Sequence, residues 1–147
     1  MLVQTLSELF RRDLQLLAEQ IKLYPNESAL WAVQGDISNA GGNLCLHLCG
    51  NLKHFIGAVL GQSGYIRDRP YEFAAKEVPR EKLLADIEET IAIVSDTLAN
   101  LPESELEKDY PLEKRGEIVS TAHMLVHLYG HLSYHLGQVN YHRRLLN

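Results

Sequence analysis

The chain has 147 residues, a length that corresponds to one domain of ordinary size. Hydrophobic residues make up 46% of the chain and charged residues 22%, which is typical of a globular protein in water. The formal net charge of -5 argues against binding to nucleic acid or to an anionic membrane. Charged residues follow the start of the chain closely, and no apolar run is long enough for a membrane span, so we expect a cytoplasmic protein.

The spacing of apolar residues predicts four long helices, at 2–24, about 43–61, 80–101 and about 118–146. The connector 62–79 contains a glycine and two prolines and has no stable period, which predicts an ordered loop with room for one short helical turn. The chain shows no alternation of polar and apolar residues typical of a strand. We therefore expect an all-α protein: a four-helix bundle in one domain, 1–147, with long connectors between helices one and two and between helices two and three.

Histidine is the residue type that stands out, and four of the seven histidines follow one another at intervals of four residues: His123, His127, His131 and His135. Each interval rotates the side chain by about 40° around a helix, so the four cannot all bind one ion. His131 and His135 border the predicted apolar stripe, while His123 is directed toward solvent. Two imidazoles on adjacent turns can both reach one ion at about 2.0–2.1 Å.

A tight metal site needs a third ligand, and the second predicted helix offers His47 and His54. These two histidines share a face but lie about 10.5 Å apart along the helix axis, so only one of them can join the pair. Both are expected at the edge of the apolar stripe of their helix. The spacing alone does not choose between them, and any one of these histidines could simply border the core.

Two cysteines lie close to His47, but the geometry of a helix separates them from it. Cys45 and Cys49 are each about 160° away from His47 around the helix axis, so neither can bind the same ion. They flank the packing side of the helix. We expect both to be buried and to act as small apolar residues.

The order of motifs along the chain resembles a known family. The run His47-Leu48-Cys49-Gly50-Asn51-Leu52, followed by RDRPYEF at 67–73, is similar to the DinB/YfiT-like superfamily of metalloenzymes, in the branch with an HLxGN helix. The segment 131–138, HLSYHLGQ, matches the HxxxHxGQ signature of the last helix in that family. The resemblance covers about residues 5–146.

This resemblance implies a DinB-like four-helix bundle, commonly dimeric, with a divalent ion held by His47, His131 and His135. It favours His47 over His54, because only His47 lies in the matching motif. His127 lies one turn before the pair, so two of the three residues 127, 131 and 135 could still bind in another register. Zinc, nickel, iron(II), cobalt and copper(II) all accept three imidazoles, and the sequence does not select among them.

The resemblance also implies an activity. Some relatives are thiol-dependent transferases or isomerases that use a low-molecular-weight thiol, and three neutral imidazoles leave an open position of the kind found in catalytic metal sites. We therefore expect a metal-dependent transferase, isomerase or hydrolase acting on a small molecule. The alternative is a bundle without catalytic activity, in which the ion staples two helices or a small ligand is merely held.

No general acid or base can be assigned from the sequence. Glu72 and His127 are the nearest candidates, but Glu72 is expected rather to pair with Arg67 or Arg69. The two arginines lie in the connector 62–79, which we expect to roof a cleft over the metal. There they could steer an anionic substrate, or they could pair with the neighbouring acidic residues and only order the loop.

Two amides are expected to orient the ligands. Gln138 lies three residues after His135, and Asn51 lies four residues after His47, so each shares a helix face with a ligand. Amide oxygens typically accept the N–H of the ring nitrogen that does not bind the metal.

The resemblance is one reason to expect a homodimer, and the first predicted helix is another. Leu2, Leu6, Leu9 and Phe10 lie close together on it and form more apolar surface than a terminal helix of a small bundle needs. A second copy of the chain could cover part of that surface.

Overall fold

A computed structural model describes residues 1–146, which contain the five α-helices α1 (Leu2–Leu23), α2 (Gly41–Leu52), α3 (Arg69–Ala74), α4 (Arg80–Ala99) and α5 (Thr121–Leu145). Short 3-10 helices lie at Ser28–Trp31 and Glu103–Glu107. These residues form isolated β-bridges but no strand, so the predicted all-α class is confirmed. None of the helices between residues 1 and 146 has the length and apolar character needed to cross a membrane.

The last helix begins three residues later than predicted. Ser120 caps α5, since its hydroxyl accepts a hydrogen bond from the backbone N–H of His123 at 3.0 Å. The residues before the cap are held in another pairing, in which the carbonyl of Val119 accepts from the backbone N–H of Tyr110 at 2.8 Å. The apolar residues Ile118 and Val119 continue the spacing of the helix, but the pairing of Val119 with Tyr110 keeps residues 118–120 outside it.

The second predicted helix contains two kinds of backbone. It is α-helical in α2 and continues directly as a π-helix, Lys53–Ala58, in which the backbone N–H of Val59 bonds to the carbonyl of His54, five residues earlier. A π-helical turn is rare and is often found near functional sites. The spacing of apolar residues in the sequence does not distinguish an α-helix from a short π-helix.

α2 lies at the centre of the molecule. All twelve of its residues are buried, because α3, α4 and α5 pack around it. Cys45 and Cys49 are both fully buried, as predicted. The expectation that His47 lies at the rim of an apolar stripe was wrong, because Phe73 of α3 covers it, with the two ring centres 4.8 Å apart.

A pair of glycines allows α2 to pack tightly where it begins. A Cβ atom on Gly41 would lie 2.0 Å from the hydroxyl oxygen of Tyr24, and one on Gly42 would lie 2.7 Å from the ring of Trp31. Any larger residue would push the helix away from these two aromatic side chains.

The connector 62–79 is ordered by polar contacts and contains the short helical turn as α3. Asp68 caps α3 through a hydrogen bond from the backbone N–H of Tyr71 to its carboxylate at 3.1 Å. The Asn43 side chain on α2 donates to the carbonyls of Glu72, at 3.1 Å, and of Ala75, at 2.8 Å. These bonds attach α3 to α2.

α1 packs against α4 and α5. Leu6 and Phe10 are buried within the chain, and Phe10 makes an edge-to-face contact with Tyr129 of α5. The expected unpartnered surface of α1 is therefore wrong for Leu6 and Phe10, whereas Leu2 is exposed and Leu9 is half-buried.

Candidate functional site

Three histidines from two helices converge beside α3. His47 from α2 and His131 and His135 from α5 each present a ring nitrogen, and these nitrogens all lie within 4.8 Å of one another. The Nε2 atoms of His47 and His131 are 3.1 Å apart. We call these three residues the histidine cluster.

The other ring nitrogen of His47 faces a buried carboxylate. Its Nδ1 lies 3.0 Å from Oε1 of Glu72, and only 3% of Glu72 is exposed. The guanidinium of Arg67 binds both oxygens of the same carboxylate, from Nε to Oε2 and from Nη2 to Oε1, each at 2.9 Å. The expected ion pair of Glu72 with Arg67 is thus present.

Glu72 is ionised in this environment. Burial by itself raises the pKa of a carboxyl group, but hydrogen bonds from His47 and Arg67 outweigh it and hold the pKa of Glu72 below its usual range. The carboxylate can therefore only accept hydrogen bonds. An N–H donated by Nδ1 of His47 to this carboxylate would leave Nε2 of that ring with a free lone pair.

Gln138 has the same relation to His135. Its side-chain oxygen lies 2.6 Å from Nδ1 of His135, so Nε2 of that ring also faces the cluster with a free lone pair. Gln138 also borders a cavity of about 290 Å³, lined mainly by residues 36–39 and the end of α5 rather than by the connector 62–79.

Asn51 is buried, but its side-chain oxygen is not hydrogen-bonded to the cluster as that of Gln138 is. Its Oδ1 atom and Nδ1 of His131 are both buried, and neither has a hydrogen-bond partner within residues 1–146. One atom is an acceptor, and the other becomes a donor when the ring binds an ion through Nε2.

His131 is neutral at physiological pH. Burial, together with positive charge that would develop on His135 and His47, lowers its pKa to about 4. Burial likewise lowers the pKa of His135, although its hydrogen bond with Gln138 acts in the opposite direction. Neutral imidazoles are the form that binds a metal ion.

The remaining candidates lie outside the cluster. His54 packs its ring against Phe55, and the ring of exposed His127 is 6.5 Å from that of His131, centre to centre. Arg69 is exposed and lies over the ring of Phe73 at 5.3 Å, with no carboxylate partner among residues 1–146. The two arginines of the connector therefore differ: Arg67 is paired with an acid and Arg69 is not.

The cluster fits a divalent ion. Ring nitrogens about 2.0–2.1 Å from a tetrahedral ion lie about 3.3 Å from each other, close to the separation between His47 and His131. A small movement of the side chains would bring the third nitrogen to the same distance. The set supplies three imidazole nitrogens and could hold zinc, nickel or iron(II).

Fold and site together define an all-helical protein with a three-histidine cluster that could hold a metal ion. The chain belongs to the family described as "Protein of unknown function (DUF1572)", a DinB-like family whose model matches residues 1–147. A comparison with curated proteins finds no match.

The contact between Glu72 and His47 was not anticipated from the sequence. The sequence indicates Glu72 as an acid or base or as a partner of the arginines rather than of His47. One signal was present: Gly50 interrupts a helix one turn after His47, and a glycine inside a helix indicates a close approach of another group.

The lowered pKa of His131 predicts how the metal-free protein responds to acid. The unfolded chain takes up a proton on this residue near pH 6.5, and the folded protein does so only near pH 4. The free energy of unfolding should therefore fall as the pH decreases from 6.5 to 4, measured by urea denaturation after chelation. His131→Gln should make the decline shallower, whereas the same change at exposed His123 should leave it as steep as in the wild type.

Proposed function

We propose that this protein is a metal-dependent enzyme acting on a small molecule, with one divalent ion held by His47, His131 and His135. The observation that carries the proposal is the convergence of three ring nitrogens within 4.8 Å. Hydrogen bonds to Glu72 and Gln138 leave Nε2 of two rings free. A merely structural cluster of histidines would not require this arrangement.

An ion with three protein ligands retains an open position, in which it can polarise an electrophile or lower the pKa of a thiol or water. The likeness to DinB-type proteins favours transfer or isomerisation dependent on a low-molecular-weight thiol, with hydrolysis as the related reaction. The chain contributes orientation of the three rings and partial exclusion of water, because Phe73 covers His47.

Arg69 is the residue that we propose binds an anionic group of the substrate. It is exposed at the start of α3, and Phe73, over which it lies, contacts His47. Since no carboxylate of residues 1–146 neutralises it, its guanidinium is available to a ligand.

Asn51 and Gln138 are the proposed outer shell of the site. Gln138 is supported by its hydrogen bond with His135. Asn51 is supported by the unpartnered, buried Oδ1, which could accept an N–H from a ligand ring after a small rotation.

The architecture that we propose for this enzyme is a DinB-like four-helix bundle of α1, α2, α4 and α5, forming one domain in the cytoplasm. α1 packs against α4 and α5, and α2 packs against the same two helices, as in a bundle of four. α3 is then an addition in the connector that covers one end of α2.

Metal content is the first test. Purified wild-type protein should contain one divalent ion per chain by elemental mass spectrometry. Replacing His47, His131 or His135 with Ala should remove most of it, because each change deletes one of three ligands. His54→Ala and His127→Ala are matched controls and should leave the content unchanged. A wild type that takes up no ion, or a loss in the controls instead, would contradict the assignment.

Turnover is the second test. Metal-loaded protein, but not metal-free protein, should conjugate or isomerise a small electrophile with a cellular thiol, and His131→Ala should abolish this with the circular dichroism intact. Arg69→Ala should raise KM for an anionic substrate about 10-fold or more, the loss expected for one charged hydrogen bond, with metal content unchanged. Arg11→Ala, on α1, is the control. If the protein turns over neither a thiol nor a hydrolysable ester, the ion has only the structural role of linking α2 to α5.

We also propose a homodimer, on a surface different from the one expected. α5 carries an exposed stripe at intervals of three or four residues, consisting of Val126, Gly130, Tyr134, Gly137, Tyr141 and Leu145. Space is open beside both glycines, so a second helix could approach closely there. The pairing of α5 with its copy would cover this stripe.

Light scattering should give twice the chain mass of 16.6 kDa at micromolar concentration. Tyr141→Glu should lower the measured mass toward one chain, because it places a charge in the interface. Leu16→Glu, at a similarly exposed position of α1, should leave the dimer intact. A wild type of 16.6 kDa would rule out the dimer.

A further inference from the structure

We propose that Glu72 is a positioning residue: it holds the ring proton of His47 on Nδ1 and so presents Nε2 to the metal. This inference rests on the proposed metal site and adds to it a group outside the ligand set. Glu72 comes from α3, in the connector, and not from either helix that supplies a ligand.

The direction of the hydrogen bond follows from the two groups that meet at Nδ1 of His47. The Glu72 carboxylate, at 3.0 Å, can only accept, and the Arg67 guanidinium, with Nη2 at 3.3 Å, can only donate. If Nδ1 accepted from Arg67, its lone pair would face a carboxylate oxygen across the shorter distance. The proton therefore lies on Nδ1, and Arg67 donates to Glu72 instead.

The opposite side of the ring agrees with this tautomer. Nε2 of His47 lies 3.1 Å from Nε2 of His131, so without an ion it can accept the Nε2–H of His131. His131 Nδ1 is then an acceptor, and it has no hydrogen-bond partner within residues 1–146. When an ion binds, it would replace the single proton that lies between Nε2 of His47 and Nε2 of His131.

The carboxylate reaches His47 because Gly50 leaves room for it. A Cβ atom on Gly50 would lie 1.9 Å from Oε2 of Glu72. Asn43, one turn before His47, binds the carbonyls of Glu72 and Ala75 and fixes the approach from the other end of α3. α3 thus packs against α2 at positions 43, 47 and 50.

The simpler interpretation is that Glu72 and Arg67 form an ion pair that only orders the connector. The two interpretations differ in the proton on His47. An ion pair with an ordering role leaves the tautomer and metal affinity of His47 unaffected when the connector stays folded, whereas a positioning role changes both.

The tautomer of His47 in the metal-free wild-type protein is the first measurement. Nitrogen-15 chemical shifts and couplings to the ring protons distinguish the two neutral forms, and we expect the proton on Nδ1. A proton on Nε2 would overturn the proposal without any variant having to fold. Because no metal is present, a failure to bind Zn²⁺ would refute the proposed function and leave this result standing.

Glu72→Ala is the second measurement. It removes the acceptor of Nδ1 of His47 and leaves Arg67, whose Nη2 lies 3.3 Å from that nitrogen and can only donate. The proton of His47 should then move to Nε2, while the tautomer of His135 stays the same. The affinity for Zn²⁺ alone, titrated against a competing chelator, should fall 10- to 100-fold, the usual effect of removing an outer-shell partner. An unchanged tautomer or an affinity within twofold of wild type would contradict the proposal.

Gly50→Ala tests the same contact without changing any polar group. The added methyl should displace Glu72 and weaken Zn²⁺ binding to a similar degree, with the helical circular dichroism retained. Gly57→Ala is the matched control, since the added methyl of this buried helical glycine would meet Ile93 of α4 and not Glu72. Equal affinity in the two alanine variants would show that the approach of Glu72 does not position His47.

Discussion

The buried carboxylate of Glu72 is the interaction on which the arrangement of the site depends. Removing an ionised carboxylate from water costs several kcal/mol, and the cost is offset only when good hydrogen bonds replace the lost water. Here two N–H groups of Arg67 and one of His47 do so. The charge can therefore be buried only while the connector, α2 and the imidazole are all in place.

This constraint explains why the connector 62–79 is ordered although it is long and contains little helix. α3 has only six residues, too few to be stable alone, and its position comes from bonds to α2. In turn α3 covers α2, which is why that helix is buried on all sides and can carry glycines, cysteines and a histidine without an exposed polar face. α2 and α3 therefore stabilise each other.

The site then combines two environments. Burial lowers the pKa values of His131 and His135, which favours an ion over a proton at these two rings. Arg69 is exposed and lies over the ring of Phe73, and in the proposed function its positive charge would attract an anionic ligand. In the function that we propose, these two environments together would bind a small anionic substrate.

The sequence by itself determined the helical class, the four long helices to within a few residues at most ends, and the pair His131 and His135, because local spacing along one helix decides these features. The motif around His47 also selected the third member of the cluster over His54. Only the tertiary structure decided what lies around them. The burial of α2, the coverage of Leu6 and Phe10, and the different partners of Arg67 and Arg69 depend on contacts between segments far apart in the chain. Glu72 is the clearest case: a glutamate between Tyr71 and Phe73 has no local feature that assigns it to an imidazole, and it reaches His47 only because α3 docks onto Gly50.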